Sequence, residues 1–394
     1  MMIKWGTNYM EEKKLNIKLN TIYFIFYAAL AGYYPFLTVY LVDRGLSYTQ
    51  IGVAYATTSL VSVVVQPVWG YITDKYSNKN NILVITMLFS SLIINAFVFI
   101  KGFPMAISGM IILIIFQSPI GAILDAYTYE IIDEYRRIQF GRIRLMGSIG
   151  YAVFALLIGM LIKATNINSS FYVYFITLLI GVFVIKGIKF KGKPQNKKLN
   201  LNDLTKMLKA KKFAVFLVSI CIMSIALGAN GNYISVLIEK TGGSVANLGM
   251  LWFILAMSEL PAFFYGGKLL KKHGELNVFM FAIIIYILRF FLNGLCTNYK
   301  QVMFIQLLQG ISFPLYLMAS LQYLNKIVPA KMRTSSITLY AALGGGLGGF
   351  IGNIMAGKLL DIVSVFVLFK LLSIVMILAL LVVLVLKSME KRLT

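Results

Sequence analysis

The sequence predicts an all-α membrane protein: twelve transmembrane helices in two pseudo-symmetric six-helix halves. Three observations carry this expectation. Of 394 residues, 59% are hydrophobic and 13% charged, with a mean hydropathy of +0.82, whereas soluble domains average ~45–50% apolar and ~25% charged. The apolar residues gather into twelve runs, each near the ~20 residues that cross ~30 Å of hydrocarbon. The basic residues, 37 against 14 acidic, crowd onto alternate connections.

In chain order, the first run is 19–42. It follows a polar stretch with Glu11, Glu12, Lys13 and Lys14 and is too long for a signal-peptide core, so it is expected to stay. Runs 48–70, 81–100, 105–131, 141–163 and 171–188 complete a first half, 1–188, joined by short polar turns. The longest connection, 189–212, is Lys-rich and nearly free of aromatics. In it Asn202-Asp203 can cap a short helix from Leu204 to Leu208, with Leu204, Met207 and Leu208 on one face towards the inner leaflet; an unstructured tether is the alternative. Runs 213–238, 246–269, 276–296, 301–325, 335–357 and 363–386 form a second half, 213–394. Several runs hold Gly or Pro, as in GYYPF and ALGGGLGGFIG, which membrane helices tolerate because neighbours satisfy the freed backbone groups.

Of the 37 Lys and Arg, 29 fall at the termini and on alternate loops; Arg44, Lys101, Lys163, Lys240, Lys300 and Lys358 fall on the opposite side, and Arg289 and Lys370 within runs. By the positive-inside rule both termini are cytosolic, in a multi-pass protein of the cell membrane. The net charge of +23 is then a topology signal, and nucleic acid is not an expected partner. The expected partners are the bilayer and a small-molecule solute, with the chain a monomer. Cys221 and Cys296 lie in or beside runs, which argues against a disulfide framework or a four-thiolate metal site. A Gly-x4-Gly-Lys-Ser/Thr loop is absent, so neither ATP-driven pumping nor enzymatic activity is expected. No metal or cofactor is expected; a proton is the expected coupling ion.

The halves echo each other. Gln66-Pro67, Gly70 and Asp74-Lys75 in the first match Leu260-Pro261, Gly266-Gly267 and Lys268 in the second, about half the chain apart. Parallel repeats with a site between them are a transporter architecture.

Within QSPIGAILDAYTYE (117–130), Asp125 is a carboxylate inside an apolar run. Such a group marks function unless it is paired. Asp125 and Arg144 lie equally far from a loop tip near 134–135, so an antiparallel hairpin sets them level, each roughly 9–15 Å from the tip. They form either a pin for the hairpin or part of a solute site. Tyr151 shares a face with Arg144 and offers either a stacking ring or a packing side chain. Glu130 reads as an interface charge. Glu259 and Arg289 stand symmetrically about Gly274, near mid-membrane. A carboxylate balanced between desolvation and a guanidinium can take up and release a proton; a buried structural pair is the alternative. Tyr27, Tyr34, Gln117, Asn230, Tyr233, Gln306 and Tyr316 either line a cavity or bond between helices. Lys370 snorkels to the outer face. Gly344, Gly345, Gly346, Gly348, Gly349 and Gly352 let helices approach closely, as a surface for sliding.

The loop GYITDKYSNK (70–79) resembles the signature of the major facilitator superfamily: Gly70, Asp74, Lys75 and Lys79 match, and Ser77 stands where Gly is usual. GYYPF (32–36), QPVWG (66–70), FGRIRLMGSIGY (140–151), SELP (258–261), YILRF (286–290) and LLQGISFPLYL (307–317) resemble, in order, the branch of the lactose permease and phenylpropionate-type transporters. The resemblance implies the major facilitator fold. It implies that Arg144 binds solute with Asp125, which is offset by one residue from that branch's sugar-binding carboxylate. Tyr151 replaces a sugar-stacking tryptophan. Gln309 and Ser312 stand where the permease has its proton-handling histidine and glutamate, so the resemblance leaves proton coupling to Glu259 with Arg289, or to Asp125. Gln309, Tyr34 and Asn230 are further solute-binding candidates, and Gly70, Asp74, Lys75 and Arg142 gating residues. The implied function is secondary active transport by alternating access, a proton symport of a small polar solute: a sugar first, then a nucleoside or small aromatic acid. Proton-antiport export of drugs or sugars, and a non-transporting receptor or scaffold, are the alternatives.

Overall fold

A computed structural model describes the backbone of residues 2–75, 79–135, 138–188, 190, 210–329 and 332–391, and the side chains of these except 2–9, 74, 334, 335 and 391. The expected linker helix near Leu204, Ser77 and the Asp74 side chain lie outside the described residues.

The first apolar run is not one helix. Helix α1 (Met2–Ala31) ends, a turn spans 32–36, and a short α2 (Leu37–Asp43) follows. Pro35 explains the break: it has no N–H, and its ring would clash with the carbonyl four residues back. Then come α3 (Tyr48–Lys75), α4 (Lys79–Ile94) with a 3₁₀ extension (Asn95–Phe99), α5 (Gly102–Glu134), α6 (Phe140–Ala164) and α7 (Ser169–Lys186). After the linker follow α8 (Lys211–Lys240), α9 (Val245–His273), α10 (Glu275–Asn293), α11 (Tyr299–Ile305), α12 (Leu307–Ile327), α13 (Arg333–Ala341), α14 (Gly349–Leu360) and α15 (Val365–Lys391).

Among the described residues, eleven helical segments are long and apolar enough to cross a membrane, and they fall within a few residues of the second to twelfth predicted runs. Prolines 67, 119, 261 and 314 lie inside helices without ending them. The glycine-rich run takes a different form from a plain helix: Ala342–Gly348 is a π-helical segment between α13 and α14. In it Gly344 and Gly348 face Ile220 and Ser224 of α8, and in α14 Gly352 meets the Ile225 backbone.

The chain forms two compact units. One holds residues 1–37 and 64–197, the other 38–63 and 198–394. In the first unit, α1 packs on α6 and α7, and α4 on α5 and α7. Glycines make the α1–α6 crossing tight: Gly147 lies under the Tyr27 ring and Gly150 against the Phe24 backbone. In the second unit, α10 packs on α12 and α15, α9 on α12, and α8 on α14, α15 and the π segment.

Residues 38–63, which come from the first half of the sequence, pack inside this second unit. Gly52 of α3 crosses Gly357 of α14 so closely that a Cβ on Gly52 would lie 3.1 Å from the Gly357 Cα. Thr38 Oγ1 donates to the Asn232 carbonyl at 2.5 Å, and Asn232 Nδ2 donates to Asn353 Oδ1 at 2.7 Å. Asp361, just past α14, receives hydrogen bonds from the first amides of α3: Tyr48 at 3.0 Å and Thr49 at 2.8 Å. A carboxylate there satisfies orphan N–H groups and complements the helix dipole.

Candidate functional site

The first unit carries a polar cluster on α1, α5 and α6. Asp125 does not form an ion pair with Arg144. Its Oδ1 accepts a hydrogen bond from the Tyr23 hydroxyl at 2.6 Å, and that hydroxyl lies 3.2 Å from Thr128 Oγ1. Arg144 instead holds its guanidinium over the Tyr27 ring, 4.2 Å from the centroid. It remains near enough for its charge to act on Asp125. The level placement predicted from the hairpin therefore holds in proximity, but a tyrosine takes the carboxylate and another takes the arginine. Tyr23 is fully buried, while Tyr27, Asp125 and Arg144 are half-buried. A cation over a ring keeps a favourable contact without consuming its N–H donors.

Higher on the same unit, the Tyr34 hydroxyl donates to Gln117 Oε1 at 3.3 Å. Gln117 is 3% exposed, and its Nε2 has no partner. Tyr151 is half-buried on α6 and engaged with neighbours.

The second unit carries another cluster, on α9, α10 and α12. Arg289 is 0% exposed. None of its three guanidinium nitrogens has a hydrogen-bond partner, and it lies over the rings of Tyr286 and Phe290, 5.2 and 4.9 Å from their centroids. The charge of Glu259 acts on both Arg289 and Tyr286. Gly310 brings α12 onto α9, where it meets the backbone of Ser258. Gln309 Oε1, Ser312 Oγ and the Tyr286 hydroxyl are buried without partners, and Tyr316 and Tyr340 continue the polar line through hydroxyls 3.0 Å apart. Buried polar groups left unpaired are costly.

The remaining predicted residues are spread out. Asn230 Oδ1 is buried and unpartnered on α8. Gly70 has nothing within 4 Å of an added Cβ. Lys75 and Arg142 are exposed. Glu130, read as an interface charge, is joined to Lys79 in an ion pair, with side chains 10% and 7% exposed. The pairing follows from the course of α4 against α5, which carries the last residue of the signature loop onto Glu130. Sequence reasoning missed Tyr23: in a chain with 23 tyrosines its one signal is the spacing of four from Tyr27.

Eleven described helical segments long and apolar enough to cross a membrane make this a polytopic membrane protein. The chain belongs to the MFS_1 like family, whose model matches residues 16–390, and it is a transporter of the major facilitator superfamily in the branch of the lactose permease and phenylpropionate-type transporters. It is 28% identical to the uncharacterized transporter YwbF of Bacillus subtilis, over 88% of this chain and 89% of that one. It is 25% identical to the maltose permease of Geobacillus stearothermophilus, over 98% and 97%. Its fold is similar to the crystal structure of a nucleoside transporter, NupG, with a TM-score of 0.87 at 15% identity, covering 94% of this chain and 99% of that.

Proposed function

We propose that the chain is a proton-coupled symporter of a small polar solute, sugar-like first and nucleoside or small aromatic acid next, working by alternating access. In this reading α1 with α2 supplies a twelfth span, both termini are cytosolic, and the chain works as a monomer in the cell membrane. The observation that carries the reading is the half-buried set of Asp125 and Arg144. They are of opposite charge, neighbouring and not paired with each other, which suits hydroxyl-rich solutes that both donate and accept. The maltose permease in the relatives supports a sugar. Glu259 is the proposed proton carrier, with Arg289 tuning it and Gln309 bonding solute.

Uptake into energised vesicles tests this with maltose, uridine and 3-phenylpropionate as probes. An imposed inward proton gradient should drive accumulation of one of them. A gradient that drives the probe out makes the chain an antiporter. Glu259→Gln should abolish gradient-driven accumulation and leave solute exchange; equal loss of both removes Glu259 from coupling. Arg144→Lys should weaken affinity, because an ammonium cannot reproduce the bidentate fork.

A further inference from the structure

Tyr23 and Tyr27 stand one turn apart on α1, so their rings share a face. The Tyr23 ring is stacked on Tyr27, centroids 6.4 Å apart and planes 26° from parallel. Tyr23 holds Asp125 through its hydroxyl, and Tyr27 holds Arg144 over its ring. The order in space is carboxylate, phenol, phenol, guanidinium. A carboxylate and a guanidinium this near one another in a poorly solvated place gain most by a direct bidentate pair, and here they do not make it.

The space for this arrangement is specific. A Cβ on Gly147 would lie 2.5 Å from Tyr27 Cδ2 and 3.0 Å from Cε2. Gly147 comes one turn after Arg144 on α6, on the same stripe. The glycine makes the slot in which the ring lies, and the arginine folds over the ring from the next turn. Tyr23 is anchored separately, packed edge-on to Phe140 with centroids 6.2 Å apart.

We propose that Tyr23 and Tyr27 are positioning residues: a spacer that stops Asp125 and Arg144 from neutralising each other. It leaves carboxylate and N–H edge available to hydroxyls of a solute. The role for solute rests on the transport reading; the spacing itself does not.

Two measurements on the full-length protein test it. The first is a double-mutant cycle of Asp125→Asn and Arg144→Gln, read as the thermal midpoint in detergent. With Tyr27 present the coupling between the two should be small, that of charges acting across a spacer. In a Tyr27→Leu background it should grow several-fold, because the freed groups pair directly. Coupling that is the same with and without Tyr27 overturns the proposal. Gly147→Ala, which fills the slot, should give the same growth in coupling and serves where Tyr27→Leu does not fold. The second measurement is uptake of whichever of maltose, uridine and 3-phenylpropionate accumulates. KM should rise about tenfold in Tyr27→Leu with turnover kept, and Tyr27→Phe, which keeps the ring, should restore it. An unchanged KM overturns the proposal. Should no probe accumulate, the transport reading falls while the unfolding cycle still decides the spacer.

Discussion

The carboxylate of Asp361 accepts the backbone amide of Tyr48 at 3.0 Å, across 313 residues of sequence. With the Thr49 amide at 2.8 Å, it caps the start of α3 from the end of α14. A carboxylate at a helix N-terminus contributes about 0.3–1 kcal/mol, more where partly buried. Asp361→Ala should therefore lower the thermal midpoint of the purified protein, and Asp361→Asn, which keeps one acceptor oxygen, should lower it less. Equal midpoints for all three proteins would show that the cap contributes nothing.

The two glycines Gly52 and Gly70 lie on the same helix and should answer oppositely to alanine. At Gly52 a Cβ would press on the Asn353 carbonyl and come within 3.0 Å of the Tyr233 hydroxyl and 3.1 Å of the Gly357 Cα. Overpacking of this kind costs roughly 1–3 kcal/mol. At Gly70 a Cβ meets nothing within 4 Å, and alanine removes the helix penalty of glycine, about 0.5–1 kcal/mol. Denaturation should show Gly52→Ala less stable than wild type and Gly70→Ala as stable or more so. A large loss at Gly70 would mean that the signature glycine is needed for packing.

The bounds of eleven of the twelve runs were legible because hydrocarbon thickness leaves few choices of length, and those eleven reappear as helices. The break at 32–36 was written in Pro35, but hydropathy averages over one residue. The candidate carboxylates and arginines were legible because charge is rare in such a chain. Their partners were not. A hairpin count gives height in the membrane but not azimuth, so it set Asp125 level with Arg144 and left out Tyr23, which enters from a third helix. The same blindness to azimuth hid the partner of Glu130, which is Lys79.

That Lys79–Glu130 pair gives a further test. Both side chains are at most 10% exposed. Removing one partner of a buried pair strands the other charge and costs about 3–5 kcal/mol, while replacing both with apolar groups is often neutral or better. Glu130→Leu alone should destabilise strongly, and Lys79→Met with Glu130→Leu should recover most of the loss. Thermal unfolding reads both. If the double variant is as unstable as the single one, the charges do more than satisfy each other.

Arg289 offers the sharpest separation of stability from function. Its guanidinium has no accessible surface and no hydrogen-bond acceptor, with the rings of Tyr286 and Phe290 beside it. Cation–π contact with two rings recovers about 0.5–2 kcal/mol, and burying an ion without full pairing costs several. A residue held at that cost for packing alone would be improved by an apolar chain of similar length. Arg289→Met should accordingly leave the thermal midpoint unchanged or raise it. If the guanidinium instead tunes Glu259, whose charge reaches it, the same variant should lose gradient-driven accumulation of solute. Stable protein with lost accumulation assigns Arg289 to coupling or binding. A fall in midpoint that accounts for the loss of uptake would return it to the scaffold.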